Sequence, residues 1–74
     1  MYCIAETLPH SHITAQHWTS TRATSLAAAK RAASRARTFR GTAAHVGIKL
    51  DDGSIERVAT CQPASCFDAG WNDI

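Results

Sequence analysis

Large and small apolar positions alternate at the start of the chain. In MYCIAETL, Tyr2 and Ile4 interleave with Cys3 and Ala5. A period of two sends successive side chains to opposite faces of a strand, and Pro9, which has no N–H to donate to a ladder, stops it. PHSH reads as a turn. The next stretch, ITAQHWTSTR, is rich in threonine and anchored by Ile13 and Trp18, which predicts a second strand within Ile13–Arg22. The pattern then changes. LAAAKRAASRAR is almost wholly strong helix formers. Thr24 or Ser25 is placed to accept a bond from an orphan N–H at its start. Gly41 stands where a helix C′ residue would, with Arg37 and Arg40 near the end that favours cations. These signals predict a helix over Ser25–Phe39. Alternation returns in Val46, Ile48 and Leu50 against His45, Gly47 and Lys49. Asp52-Gly53 supplies a turn signal, and Ile55–Cys61 comes back as the second arm of a hairpin. The connection is left open at two, three or four residues, and a slip of one residue changes the face that Val58 joins. Pro63 ends that arm, and SCFDAGW predicts a short last strand.

The order is strand, strand, helix, hairpin, short strand. It implies an α+β fold: an antiparallel sheet of four to five strands with one helix packed on one face. With 74 residues, the chain makes one domain, residues 1–74. Apolar residues are 45% of the sequence, but 14 of them are alanine. A domain of this size buries only about 60% of its unfolded surface, which favours weak homodimerisation or docking on a larger partner and disfavours a sheltered catalytic cleft.

The formal charge is +2, and its distribution matters more than its size. Six of the eight cations lie between Arg22 and Arg40, whereas five of the six acids lie from Asp51 onward. On a wheel advancing about 100° per residue, Leu26, Ala28, Ala29, Ala32, Ala33, Ala36 and Phe39 share the inner half. Lys30, Arg31, Ser34, Arg35 and Arg37 share the outer half. Arg31 and Arg35 are i,i+4 neighbours of like charge, which opposes helix formation by roughly 0.2–0.5 kcal/mol, and no acid offsets them. A solvated face with an incidental sign bias is the ordinary explanation of a charge run. A face that binds polyanions or acidic protein surfaces is the functional one, with Lys30, Arg31, Arg35 and the flanking Arg37 as its residues.

The segment SLAAAKRAASRARTFRGT carries a further signal. Its spacing is Ser-Leu, two residues, Ala-Lys-Arg, one residue, Ala-Ser, four residues, Phe, one residue, Gly-Thr. It resembles a family of small phage and mobile-element proteins, one member of which is an anti-CRISPR acting on a type I CRISPR-Cas surveillance complex (Cascade). The match is centred on Ser25–Thr42, and Trp71 corresponds to a late tryptophan. The resemblance implies an antiparallel sheet crossed by one helix. It implies a non-enzymatic inhibitor, in the host bacterial cytoplasm, that docks on the backbone subunits of Cascade and occupies the path of the target DNA. Helix cations of the family additionally contact double-stranded DNA, and the matching positions are Lys30, Arg31 and Arg35. Arg37 and Arg40 replace less basic positions, and HSHITAQHW has no counterpart. A nucleic-acid-binding accessory protein using the same helix, and a structural or homodimeric module, are the competing classes.

The remaining chemistry is sparse. No apolar run approaches the roughly 18 residues of a membrane span and no leader is readable, so a cytoplasmic protein without a membrane partner is expected. Cys3, Cys61 and Cys66 are then expected as reduced thiols, with a Cys61–Cys66 bridge left open. His10-x-His12 and Cys61-x4-Cys66 are looser than the paired ligands of structural zinc sites, so no metal or other cofactor is expected. Nothing fixes a Cys–His pair or an oxyanion hole, so no catalytic residue is assigned. A helix-turn-helix reader needs a second helix.

Overall fold

The computed structural model describes residues Met1–Ile74. Its elements are β1 (Tyr2–Thr7), a 3-10 turn (Ala15–His17), β2 (Thr19–Ser20), α1 (Leu26–Ala36), β3 (Ala43–Lys49), β4 (Ile55–Gln62) and β5 (Gly70–Asp73). The strands form one antiparallel sheet in the order β2-β1-β3-β4-β5, and α1 lies on one face, against β1 and β3. The fold is α+β with five strands and one helix, as the pattern of the sequence predicts. No helix is long and apolar enough to cross a membrane.

Register follows from which side chains must meet the helix. Ile4, Val46 and Ala59 stand opposite one another across three strands, as do Ala44, Cys61 and Trp71. Residues directly opposite share a face, and this face receives Ala29 and Ala33 of α1. Both alanines are buried, and their small side chains let the helix lie close on the sheet. The β3–β4 register shifts between Val46 and Gly47: Val46 faces Ala59, but Gly47 faces Arg57. The extra residue is Val58, which packs with the helix-side cluster. The hairpin turns through Leu50–Ser54, where Gly53 takes φ +88° and the Asp52 carboxylate accepts bonds from the Ser54 N–H and hydroxyl at 2.9 and 2.6 Å.

The opposite face is also covered. Cys3, Ala5, Thr7, His45 and Thr60 are buried there, under the segment that leads from β1 to β2. Gly47 is required for this layer: a Cβ there would come within 2.6 Å of Ile55 and 2.9 Å of Trp18. His45 is the largest fully buried side chain. Its Nε2 lies 2.8 Å from the Thr7 hydroxyl and its Nδ1 3.0 Å from the Thr60 hydroxyl. The Thr7 proton is already given to the Leu8 carbonyl at 2.9 Å. The Thr7 oxygen therefore accepts from His45 Nε2–H, and Thr60 donates to Nδ1. The neutral ring is satisfied at both nitrogens. Burial, then the nearby charges of Arg57 and His17, push its pKa down to about 4.

Three predicted elements are corrected. The second strand shrinks to Thr19–Ser20, because Thr14–His17 closes on itself: His17 N–H donates to the Thr14 carbonyl, and the Thr14 N–H donates to His17 Nδ1, each at 3.0 Å. Local bonds of this kind compete with a strand ladder. The helix starts as predicted, with Ser25 Oγ accepting from the Ala28 N–H at 3.1 Å, but stops at Ala36 and not at Phe39. Arg37 is extended (φ −62°, ψ 132°), and Gly41 is not a left-handed C′ residue. Phe39, placed on the inner helix face, is 71% exposed. The cause is Glu6. Its carboxylate accepts from the Thr38 N–H (2.9 Å), the Thr38 hydroxyl (2.8 Å), the Phe39 N–H (3.3 Å) and the Thr42 hydroxyl. The last strand is Gly70–Asp73, later than SCFDAGW suggests, since residues from Pro63 to Ala69 form turns. All three cysteines are unpaired.

Desolvation raises the Glu6 pKa, but the bonds from Thr42, Thr38 and Phe39 outweigh it and hold the carboxyl below its ordinary value. Its stabilisation is full above the ordinary carboxylate pKa and is lost as pH falls through the lowered one. Glu6→Gln should cost about 1–3 kcal/mol at pH 7 and flatten the melting curve's dependence on pH below 4.5. His45 acts in a higher window. Its unfolded form takes a proton below about pH 6.5 while the folded ring resists it, so stability falls from pH 6.5 toward 4. Thermal melts across that range should show the decline in the wild type and lose most of it in His45→Gln.

Candidate functional site: the basic face of the helix

The helix presents its cations unequally. The direction facing the sheet runs through Leu26, Ala29 and Ala33, which is rotated from the centre of the predicted alanine arc. Lys30 follows Leu26 by one turn and so falls at the boundary of the buried side, not on the outer arc. Its ammonium lies 2.6 Å from Asp73 of β5 and 5.6 Å from the centroid of the Trp71 ring. Three-quarters of the Lys30 side chain is covered, since its exposure is 23%. This charge is spent within the fold, holding the helix to the edge strand.

Arg37 is also held. Its Nη2 donates to the Thr42 carbonyl and stands 3.5 Å from the Arg40 carbonyl, while its buried Nε has no partner. The guanidinium closes the loop that Glu6 ties from the other side. Arg31 and Arg35 are different. Both are exposed, and neither forms an ion pair. They line a groove of about 420 Å³ with Ala27, Lys30, Ser34 and Trp71. Ser34 also lines an adjoining groove of about 460 Å³, together with Arg37, Thr38, Phe39, Arg40 and Ala64. Arg31, Arg35 and Arg40 thus border two grooves that share Ser34, with Trp71 lining one and Phe39 the other.

Two members of this surface lie outside the sequence-predicted set. Phe39 was expected inside, and its exposure beside Arg40 depends on the early helix end. Trp71 is half-buried and flanks the cations because β5 pairs with β4, which brings the end of the chain back beside the helix. Asp73, the partner of Lys30, has no local signal in the sequence. Aromatic and arginine side chains in shallow grooves are the residues that dominate macromolecular interfaces, and unpaired guanidiniums bind phosphates or carboxylates bidentately. No nucleophile with an adjacent base stands in either groove. Side chains with metal-ligand chemistry gather elsewhere, across the sheet.

The geometry sets separate stability outcomes for residues that look equivalent in sequence. Arg31→Glu and Arg35→Glu should leave stability within about 0.5 kcal/mol of wild type. Lys30→Glu should lower it by about 1–2 kcal/mol, by losing the contacts to Asp73 and Trp71 and setting two acids together. Urea melts of the three variants separate these outcomes, and Asp73→Lys in the Lys30→Glu background should restore part of the loss. No protein-family model, curated protein or solved structure matches this chain, so the reading of the face rests on its own chemistry and on the Ser25–Thr42 pattern.

Proposed function

We propose that the protein is a non-enzymatic inhibitor of a type I CRISPR-Cas surveillance complex, acting by docking its basic helix face on Cascade and blocking the path of target DNA. The observation that carries this reading is the pair of unpaired arginines, Arg31 and Arg35, on a helix whose sheet-facing side is almost wholly alanine. Like charges at i,i+4 weaken a helix, so the pair serves something outside the fold. The α+β architecture agrees with the fold that the resemblance of Ser25–Thr42 implies. A standard interface takes about 800 Å² from each partner, roughly one sixth of the 4882 Å² surface. The two adjoining grooves supply part of a patch of that size, and exposed residues around them would have to supply the rest.

In this reading Arg31 and Arg35 make the charged contacts, and Trp71 and Phe39 supply apolar anchors. Lys30 and Arg37 set the positions of these groups more than they donate charge themselves. A second reading, a phage or mobile-element accessory protein that binds nucleic acid directly, is favoured by Phe39 beside Arg40, since an exposed ring near a guanidinium can stack on a base.

Co-purification with type I-C, I-E and I-F Cascades, followed by a target-DNA binding assay, tests the proposal. The wild type should be retained by at least one complex and should block its DNA binding. The Arg31→Glu, Arg35→Glu double variant should fold normally and lose retention. Direct binding of duplex DNA without Cascade would favour the second reading. In that case the slope of log affinity against log salt should fall in magnitude by about 2 in the double variant, close to one per lost phosphate contact. A folded double variant that blocks Cascade's DNA binding, or binds duplex DNA, as well as the wild type does would overturn the use of this face in the corresponding reading.

A further inference from the structure

Across the sheet from α1, the loop after β1 meets the loop before β5 at a cleft of about 520 Å³, lined by His10, His12, Arg57, Gln62 and Asp68 among others. One potential ligand atom from each of His10, Cys66 and Asp68 lies within 4.8 Å of the other two. The Asp68 Oδ1 is shielded from solvent yet accepts no hydrogen bond. His10 Nε2 stands 3.9 Å from it, beyond hydrogen-bond reach. Gln62, on the same cleft, has a second shielded acceptor, Oε1, without a donor. Buried acceptors are nearly always satisfied. Asp68 thus offers an unshared carboxylate oxygen beside an imidazole and a thiol, the donor pattern of a cation site. His10 also holds its place with φ 61°, the sole non-glycine residue in the left-handed region.

We propose that His10 Nε2, Cys66 Sγ and a carboxylate oxygen of Asp68 form a three-ligand site for a zinc-class divalent ion, with the fourth position open to water. Bond lengths of about 2.0–2.3 Å in a tetrahedron put ligand atoms roughly 3.3–3.7 Å apart. His10 Nε2 and Asp68 Oδ1 stand 3.9 Å apart and all three atoms lie within 4.8 Å, a gap that side-chain rotation can close because His10 is exposed and Cys66 and Asp68 are only half-buried. The donor set selects the ion: a thiolate and an imidazole suit zinc or cobalt and are poor ligands for magnesium or calcium. Binding forms the metal–sulfur bond and releases the Cys66 thiol proton to solvent, so affinity rises with pH. The ion ties together two loops from distant parts of the chain. It lies on the opposite side of the sheet from Arg31 and Arg35 and does not depend on how that face is used.

Cobalt and zinc test the site on the intact, reduced protein. Cobalt titration should give a 1:1 complex with a sulfur-to-cobalt charge-transfer band and tetrahedral visible bands. Cys66→Ser should abolish the charge-transfer band. His10→Ala and Asp68→Asn should each weaken binding by more than the roughly 10–100-fold that loss of an outer-shell partner costs, with circular dichroism confirming that all three remain folded. A second readout needs no variant. Zinc should protect Cys66 from iodoacetamide, read by peptide mass spectrometry, and a chelator should reverse the protection. A complex without the sulfur band, binding unchanged in the His10 and Asp68 variants, or alkylation of Cys66 unaffected by saturating zinc would each overturn the proposal.

Discussion

The Glu6 carboxylate decides where the helix ends, and the shape of the molecule on one side follows from that. Two backbone N–H groups and two hydroxyls from the α1–β3 connection converge on it. Arg37 Nη2 holds the Thr42 carbonyl of the same connection. The chain is thereby turned out of the helix after Ala36 and delivered to the start of β3, beside the strand that carries Glu6. Without this capture the propensities of Arg37, Thr38 and Phe39 would allow another turn of helix. Phe39 would then face inward and Arg40 would move away from Ser34. The outward aromatic and the second groove are consequences of a single anionic acceptor.

Such polar fixings matter because the apolar core is built from small parts. The buried hydrophobic residues are alanines, two cysteines and Val46, whereas Leu8, Leu50, Phe67 and Ile74 are exposed. Alanine gives close contact between layers but little area per residue, and buried area sets hydrophobic stabilisation at about 25 cal/mol per Å². Specificity therefore falls to groups with direction. Glu6 fixes the loop, Lys30 and Asp73 fix the helix to the edge strand, and His45 fixes the two threonines of the opposite face. His45 is the most demanding of these. Its ring fills volume that a leucine could fill, but it also bonds two buried hydroxyls, and burial with the nearby charges of Arg57 and His17 keeps it neutral.

Much of this was legible in the sequence, and the failures have a common cause. The β1 alternation, a cap from Thr24 or Ser25, of which Ser25 serves, the Asp52-Gly53 turn and the order of elements depend on local chemistry, and each is found. Ile13–Arg22 was misread because threonine has both strand propensity and a hydroxyl suited to local bonds. In Thr14–His17 the local bonds won. The helix terminus was misread because Glu6 acts across more than thirty residues of chain, and nothing near Gly41 announces it. Lys30 looked equivalent to Arg31 because Asp73 and Trp71 become its neighbours only through the β4–β5 pairing. His10-x-His12 and Cys61-x4-Cys66 are loose as ligand spacings, and nothing local points to Asp68, which comes beside His10 and Cys66 only through the folding of two loops.

The unequal treatment of the helix cations bears on what kind of partner the face suits. If five positive charges were free along this segment, attraction would be strong, long-ranged and indiscriminate. With Lys30 paired to Asp73 and Arg37 bonded to the loop carbonyls, the free charges of this segment reduce to Arg31 and Arg35, one turn apart on an 11-residue helix, and Arg40 beyond its end. Three guanidiniums contribute little non-specific affinity for a polyanion at physiological salt. They do contribute geometry, because each can form two parallel bonds to a carboxylate or phosphate. Trp71 and Phe39 add apolar contact on either side. A surface with few charges in fixed positions between two aromatic groups is better suited to one shaped partner than to nucleic acid in general. This is why the docking reading is preferred over plain DNA binding, even though both begin from the same arginines.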